Sequence, residues 1–288
     1  MSPGPLPTQD SGAQLRRVHL RPDLGAAAHV LQARSLRIVR VAIEAPALII
    51  VTHGCKTVQV AGGTTVRAAP GQAVALAGGQ IVDFANEAPP GARYEARWLV
   101  FGHAVCNSFA ARQALQAAPN AHPHPARLLS ELPQGLHEAF ARACQALAPG
   151  SERPDAVVAH HLHEVMLWLA LQGVAFSAHR APPSLSERVR ALLAGRLGHD
   201  WQAGQVAGEL AMSEPTLRRR LAGEGHRFGD LLVDARMSFA LTQLQASDQS
   251  IAAIAQNVGY ASASRFAARF RHRFGFAPSA VRVNGREG

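Results

Sequence analysis

Lysine is nearly missing from this chain: Lys56 stands alone against 28 arginines. Cysteine is also scarce, with only Cys55, Cys106 and Cys144. A sparse, odd and widely spaced set excludes a disulfide framework and points to a reducing, cytoplasmic setting. No uninterrupted apolar run reaches about 18 residues, so no membrane-spanning helix is expected. The opening Met1-Ser2-Pro3-Gly4-Pro5 has no basic stretch leading into an apolar core, so no secretory signal is expected.

What is present describes a globular chain. Its 288 residues give room for about two domains, and 48% of them are hydrophobic. The net charge is +9, unevenly spread. Residues 184–288 hold 14 arginines and nine carboxylates, whereas residues 1–183 hold 15 basic and 11 acidic side chains. Between 249 and 286 there are six arginines and no carboxylate. A field of one sign attracts a phosphate backbone.

Residues 1–14 read as a flexible tail. From Leu36 to Phe101 short β-branched runs alternate with turns. The runs are 36–41, 48–51, 57–60, 73–76 and 80–84, and Gly54, Gly62-Gly63, Pro70-Gly71 and Gly78-Gly79 separate them. Their spacing predicts a small barrel or sandwich. Beyond Cys106 the composition predicts helices over 107–117, 134–147 and 155–172, with no further strands. Ala181-Pro182-Pro183-Ser184 then breaks the chain. The expected division is a tail (1–14), a strand-rich domain (15–176), a linker (177–184) and an all-helical domain (185–288). The fold class is therefore α+β.

The helical part contains a near-repeat. Val206-Ala207, Leu210 and Leu217 with Leu221 recur 48 or 49 residues later as Ile254-Ala255, Val258 and Phe266 with Phe270. Each copy predicts a short helix, a tight turn and a second helix, which is helix-turn-helix geometry. Ser213 and Ser262 are the natural N-caps of the second helices. Residues 228–245 predict a connecting helix about 27 Å long. That length would set two reading helices roughly one DNA turn apart. A helical bundle without DNA contact is the bland alternative, and the repeat with its acid-free basic stretch argues against it.

Residues 185–282 resemble the DNA-binding domain of the AraC/XylS family of bacterial transcription regulators. The resemblance rests on Met212 through Leu221, Arg236 with Ala240, and Ile254-Ala255, Val258-Gly259-Tyr260, Ser264-Arg265-Phe266, Phe270, Phe274-Gly275, Pro278 and Arg282. It implies two major-groove helices, a double-stranded promoter target and contact with RNA polymerase. It assigns DNA contact to Ser213, Pro215, Thr216, Arg218 and Arg219 in the first copy. In the second it assigns Ser262, Ala263, Ser264, Arg265, Arg269 and Arg271. An arginine on guanine O6 and N7 is the commonest specific contact. The family usually carries arginine where this chain has Ala268, so the second helix is expected to read bases weakly. Arg269, Arg271 and Arg273 would then serve phosphates, and Arg220 would turn away.

The strand-rich part resembles, over about 65 residues, the cupin-like β-barrel sensor half of such regulators. Gly54-Cys55-Lys56 and Pro70-Gly71 match its usual turns. Enzymatic cupins need a His-x-His pair and a following glutamate. His53 is the only histidine between Leu36 and Phe101, so no metal, cofactor or enzymatic activity is expected. His160, His161, His163 and Glu164 read as a helix face rather than a metal site, and His122-Pro123-His124 as an exposed loop. In some relatives lysines in the barrel bind a fatty-acid carboxylate. The resemblance therefore points to Lys56 as anchor for an anionic or amphipathic small-molecule effector. Helix 155–172 is apolar on more than one face, and Leu162 with Leu169 predicts a homodimer seam. The expectation is an effector-responsive activator. The alternative is an effector-independent DNA-binding regulator whose N-terminal half only dimerises.

Overall fold

A computed structural model describes residues 18–61, 63–108, 116, 118, 120–148, 150–176 and 184–281. The tail 1–14, most of the predicted helix 107–117 and Ala181-Pro182-Pro183 lie outside the described residues.

The N-terminal part is built on two antiparallel sheets. In chain order the strands are β1 (His19–Arg21), β2 (Gly25–Gln32), β3 (Leu36–Ile43), β4 (Ala47–His53), β5 (Cys55–Val60), β6 (Thr65–Ala68), β7 (Ala73–Leu76), β8 (Gln80–Glu87) and β9 (Tyr94–Phe101). A short helix α1 (His103–Cys106), β10 (His122–Pro123) and β11 (Ala126–Leu129) follow. One sheet has the order β1-β2-β9-β4-β7-β11 and the other β3-β8-β5-β6. Val30, Ile49, Val51 and Leu76 from the first share a core with Val58, Val60 and Val82 from the second. The two ladders do not join, so this is a sandwich-like open barrel.

Three expectations change here. Strands begin at His19, where β1 pairs with β2, and the alanine-rich β2 pairs along its whole length with β9. Residues 126–129 are also a strand, antiparallel to β7. The 122–124 segment is not purely a loop, since His122-Pro123 pairs in parallel with β12 (Val174–Ala175).

Between β11 and β12, helices α2 (Gln134–Leu147) and α3 (Asp155–Leu171) pack on the six-stranded sheet. Leu162 and Leu169 are both completely buried in that core, beside Leu136, Phe140 and Leu99. They are therefore structural, not the exposed seam that the sequence suggested. The exposed apolar side chains of α3 are Val157, Leu167 and Leu171.

The C-terminal part is helical: α4 (Leu185–Ala194), α5 (Ala203–Glu209), α6 (Glu214–Gly223), α7 (Phe228–Ala246), α8 (Ile251–Asn257), α9 (Ala263–Phe274) and a 3-10 turn (Pro278–Val281). Ser184 starts α4 with a reciprocal capping box to Glu187. Glu224 then reaches back from the end of α6 and accepts from the Leu185 and Ser186 N–H groups, each at 2.8 Å.

Candidate nucleic-acid interface

The repeat folds into two helix-turn-helix units, α5–α6 and α8–α9, joined by α7. In the first, Val206, Ala207, Leu217 and Leu221 enclose a core with Val189, Leu193 and Leu231. In the second, Ile254, Ala255, Phe266 and Phe270 pack with Met237, Leu241 and Leu244. The connector thus serves one unit with its first turns and the other with its last. It has 19 residues, about 28 Å at 1.5 Å per residue.

Arg236, near the middle of α7, braces this frame. Its guanidinium donates to the Leu197 carbonyl at 3.0 Å and the His199 carbonyl at 2.8 Å. It also lies 5.9 Å from the Tyr260 ring centre. One side chain therefore ties the loop before α5 to the turn of the second unit.

Apolar spacing turns the remaining faces of α6 and α9 outward. On α6, Leu217 and Leu221 point inward, which leaves Pro215, Arg218, Arg219 and Arg220 exposed and Thr216 half-buried. Ser213 caps this helix by position, but its hydroxyl pairs with the Thr216 hydroxyl at 2.9 Å instead of a backbone N–H. Arg218 is held by Glu214 one turn earlier, Nη2 to Oε1 at 2.6 Å. Glu214 was not foreseen as part of this surface; its i, i+4 spacing from Arg218 was the available signal.

On α9, Phe266, Phe270 and Phe274 are buried. Ala263, Ser264, Arg265, Ala268, Arg269 and Arg271 are exposed, and Ser262 accepts from the Arg265 N–H at 3.4 Å. Gly275, in the left-handed region at φ +82, ends the helix. Arg273 departs from the expectation. Its side chain keeps only 13% exposure and turns inward, to Asp234 and to the carbonyls of Val39 and Arg40. The first unit thus presents three exposed arginines, and the second presents Arg265, Arg269 and Arg271 around a small Ala268 patch.

Lys56 lies elsewhere, in the N-terminal part. It is not at a turn but on β5, two residues beyond Gly54, whose φ of +78 makes the turn. A side chain at Gly54 would run into the Glu87 carbonyl. Lys56 is 5% exposed. Its ammonium donates to Asn86 Oδ1 at 2.9 Å and sits 3.8 Å from the Phe84 ring centre. Burial pushes its pKa down to about 7. Asn86 in turn donates to Gln32 Oε1 at 3.1 Å, which also accepts from Gln245 of α7 at 3.2 Å. This buried amide chain, unseen in the sequence, joins the lysine to the connector helix.

A second polar group came with the unforeseen strand β2. His29 lies 2.8 Å and His53 3.4 Å from the Glu95 carboxylate, with Arg93 at 3.2 Å. On α3, Glu164 is paired with Arg142 at 2.5 Å, while His163 is turned to Ser108 and the Val105 carbonyl. Among the described residues no three His, Cys, Asp or Glu side chains are grouped to hold a metal ion. No helix among them is long and apolar enough to cross a membrane.

Comparison with known proteins places these features. A family model described as a helix-turn-helix domain matches residues 206–284. The HTH-type transcriptional activator FapR of Escherichia coli is 35% identical over 104 residues, 36% of this chain and 40% of that protein. The HTH-type transcriptional regulator GadX of Escherichia coli O6:H1 is 33% identical over 97 residues, 34% of this chain and 35% of its own length. The match thus spans well under half of either relative. Over most of the chain the fold is similar to ToxT of Vibrio cholerae. An apo form of ToxT with a single lysine-to-alanine substitution gives a TM-score of 0.58 at 14% identity, covering 88% of this chain and 95% of that one. The unsaturated-fatty-acid-bound wild type also gives 0.58 at 14%, covering 93% and 100%.

Proposed function

We infer that the protein is a sequence-specific, double-stranded-DNA-binding transcription regulator rather than an enzyme, and that its C-terminal double helix-turn-helix domain is of the AraC/XylS type; the helix-turn-helix match over residues 206–284 and the likeness to a transcriptional activator support this. One observation carries this reading. The same two-helix unit occurs twice, and in each the second helix turns arginines outward while its leucine or phenylalanine stripe is buried. Phosphate contacts fix register, and base contacts specify sequence. Thr216, Arg218 and Arg219, with Ser213 and Pro215 at the helix start, form the base-reading end. Ser262, Ala263, Ser264, Arg265, Arg269 and Arg271 form the second contact, weighted towards phosphate.

The reading extends to the N-terminal half, with the boundary at residues 177–184. We propose that this half is a cupin-like sensor for a small anionic or amphipathic effector, with Lys56 as polar anchor. The buried ammonium beside an aromatic ring supports it, as does a fatty-acid-bound protein of similar fold. An incoming carboxylate would compete with Asn86 for the ammonium and so disturb the amide chain to Gln245. The protein would act as an activator in the cytoplasm, as a homodimer that meets RNA polymerase at a promoter. The exposed Val157, Leu167 and Leu171 on α3 support the dimer.

Selection of bound sequences from a random duplex pool, repeated over a salt series, tests the reading. An enriched motif, with affinity that falls steeply with log salt, is expected. Binding without any enriched motif, or without salt dependence, would overturn it. Loss of effector response in Lys56→Ala, with DNA binding kept, separates the sensor from a half that only dimerises.

A further inference from the structure

Strand β3 does not run straight. Its register with β8 shifts between Ile38 and Val41. At this bulge Arg40 adopts φ +56, a left-handed conformation that strains a non-glycine residue. The conformation is held from β8, where Asp83 Oδ1 accepts from the Arg40 N–H at 2.8 Å. A bulge leaves backbone groups outside the ladder. Here the carbonyls of Val39 and Arg40 accept from the two terminal nitrogens of Arg273, at 3.0 and 2.6 Å. The third nitrogen donates to Asp234 Oδ1 on the connector, at 2.5 Å. All three guanidinium nitrogens of a side chain on the last turn of α9 are thus engaged, two of them by the opposite half of the molecule.

Apolar packing surrounds this contact. Leu36 and Ile38 of β3 share a core with Met237, Leu241 and Phe270. β8 also carries Phe84 and Asn86, the two neighbours of Lys56. The strand that fixes the bulge through Asp83 is therefore the strand that houses the lysine.

The geometry points to Arg273 as a positioning residue: it latches the second helix-turn-helix unit to the sensor sheet through the β3 bulge, and does not contact DNA. The orientation of α9 is then set partly by the sensor sheet. Any rearrangement of β8 reaches the second reading helix through Asp83, the bulge and this guanidinium. A two-state element biased from both ends is what coupling between a sensor and a reader requires.

Hydrogen exchange on the full chain, without DNA or effector, tests the latch directly. Arg273→Ala should speed amide exchange across α8 and α9 about tenfold, as expected when charge-assisted hydrogen bonds are lost. Exchange in α5 and α6 should not change. Asp83→Ala, a change made wholly in the sensor, should speed the same α8–α9 amides, and the double variant should add little. Arg40→Gly guards against unfolding as a cause, because glycine favours the bulge conformation and should slow that exchange. Unchanged α8–α9 exchange in Arg273→Ala, or Asp83→Ala effects confined to β3 and β8, would overturn the proposal. A second arm rests on the DNA-binding reading and uses a mixed-sequence duplex. Arg273→Ala should leave the slope of log affinity against log salt unchanged, and a slope reduced by about one would mark a phosphate contact instead. If the wild-type chain binds no duplex, the DNA reading fails, and the exchange result still decides the latch.

Discussion

Ala211 and Gly259 occupy the same place in the two helix-turn-helix turns, 48 residues apart, and both take left-handed backbone, at φ +54 and +78. Glycine adopts this conformation without a Cβ clash, and alanine does not. The first unit therefore carries strain that the second avoids. Ala211→Gly relieves about 1–2 kcal/mol of strain and adds about 0.5–1 kcal/mol of unfolded-chain freedom. A net gain of several tenths to about 1 kcal/mol is expected. The reverse change, Gly259→Ala, is expected to cost more. Its Cβ would lie 2.7 Å from Arg236 Nη2 and 3.2 Å from the Gly198 carbonyl, so it would also push the connector's brace aside. Urea unfolding of both variants checks the signs. A destabilised Ala211→Gly would contradict the account.

On the DNA face, the two units should fail differently. Arg219→Ala should cost about 1–3 kcal/mol on a selected site and flatten base preference there. Glu214→Gln should release Arg218 from its 2.6 Å ion pair and broaden the selected motif without abolishing binding. Equal losses from Arg219→Ala on selected and random duplexes would place Arg219 on phosphate instead.

Arg271 is exposed near the end of α9, while its neighbour two residues on is turned inward. Arg271→Ala should weaken binding about equally on all sequences and lower the salt slope by about one. Titrations at several salt concentrations measure this, and an unchanged slope would remove Arg271 from the phosphate contacts.

Much of this architecture was legible in the sequence, and the failures have physical causes. The two helix-turn-helix units were readable because buried residues recur at helical spacing on both helices of each copy. The helices expected from composition over 134–147 and 155–172 are found at Gln134–Leu147 and Asp155–Leu171. Strand β2 was missed because Gly25-Ala26-Ala27-Ala28 has little β propensity; its place is set by pairing with β9. β11 was missed for a similar reason, since four residues beside helical stretches carry too little pattern. The inward turn of Arg273 was not legible at all. It depends on a bulge more than 230 residues away in the chain, and an arginine looks the same whether it meets a phosphate or two carbonyls. The lone lysine drew attention by composition, yet its burial depends on strand register: Lys56 pairs with Asn86 and Ala68.

The dimer seam gives a contrast between two leucines on one helix. Leu169 has no exposed surface, whereas Leu171 is 56% exposed, and Leu167 and Val157 of the same helix are exposed as well. Leu169→Arg would bury an unpaired charge and should unfold the N-terminal half. Leu171→Arg places the charge in solvent and should leave the fold intact. If α3 forms the seam, Leu171→Arg yields folded monomers in sedimentation. A folded dimer would remove this face from the interface.

Lys56 should leave a signature in the pH dependence of stability. Its folded pKa is about 7, against an unfolded value of about 10.4. Between these two values the unfolded chain holds a proton that the folded chain has released. Stability from this group must therefore rise with pH across the window from about 7 to about 10.4. Below about pH 7 both states carry the charge, and the full desolvation penalty applies. Lys56→Met removes the titration and so should flatten the rise. It also leaves Asn86 Oδ1 without its donor, at a cost of about 1–3 kcal/mol that does not vary with pH. The slope, not the absolute stability, is thus the diagnostic quantity. Urea unfolding of wild type and Lys56→Met at matched pH values from 6.5 upward, in ~0.5-unit steps across that window, gives it. The difference between the two proteins should change steadily in favour of the wild type as pH rises. A carboxylate effector bound at the ammonium would stabilise its charged form and raise its pKa. Effector affinity should then strengthen as pH falls through about 7, with proton uptake on binding. Parallel stability curves for the two proteins would show that the amine keeps its ordinary pKa, and with it would go the reason to expect pH-dependent effector binding.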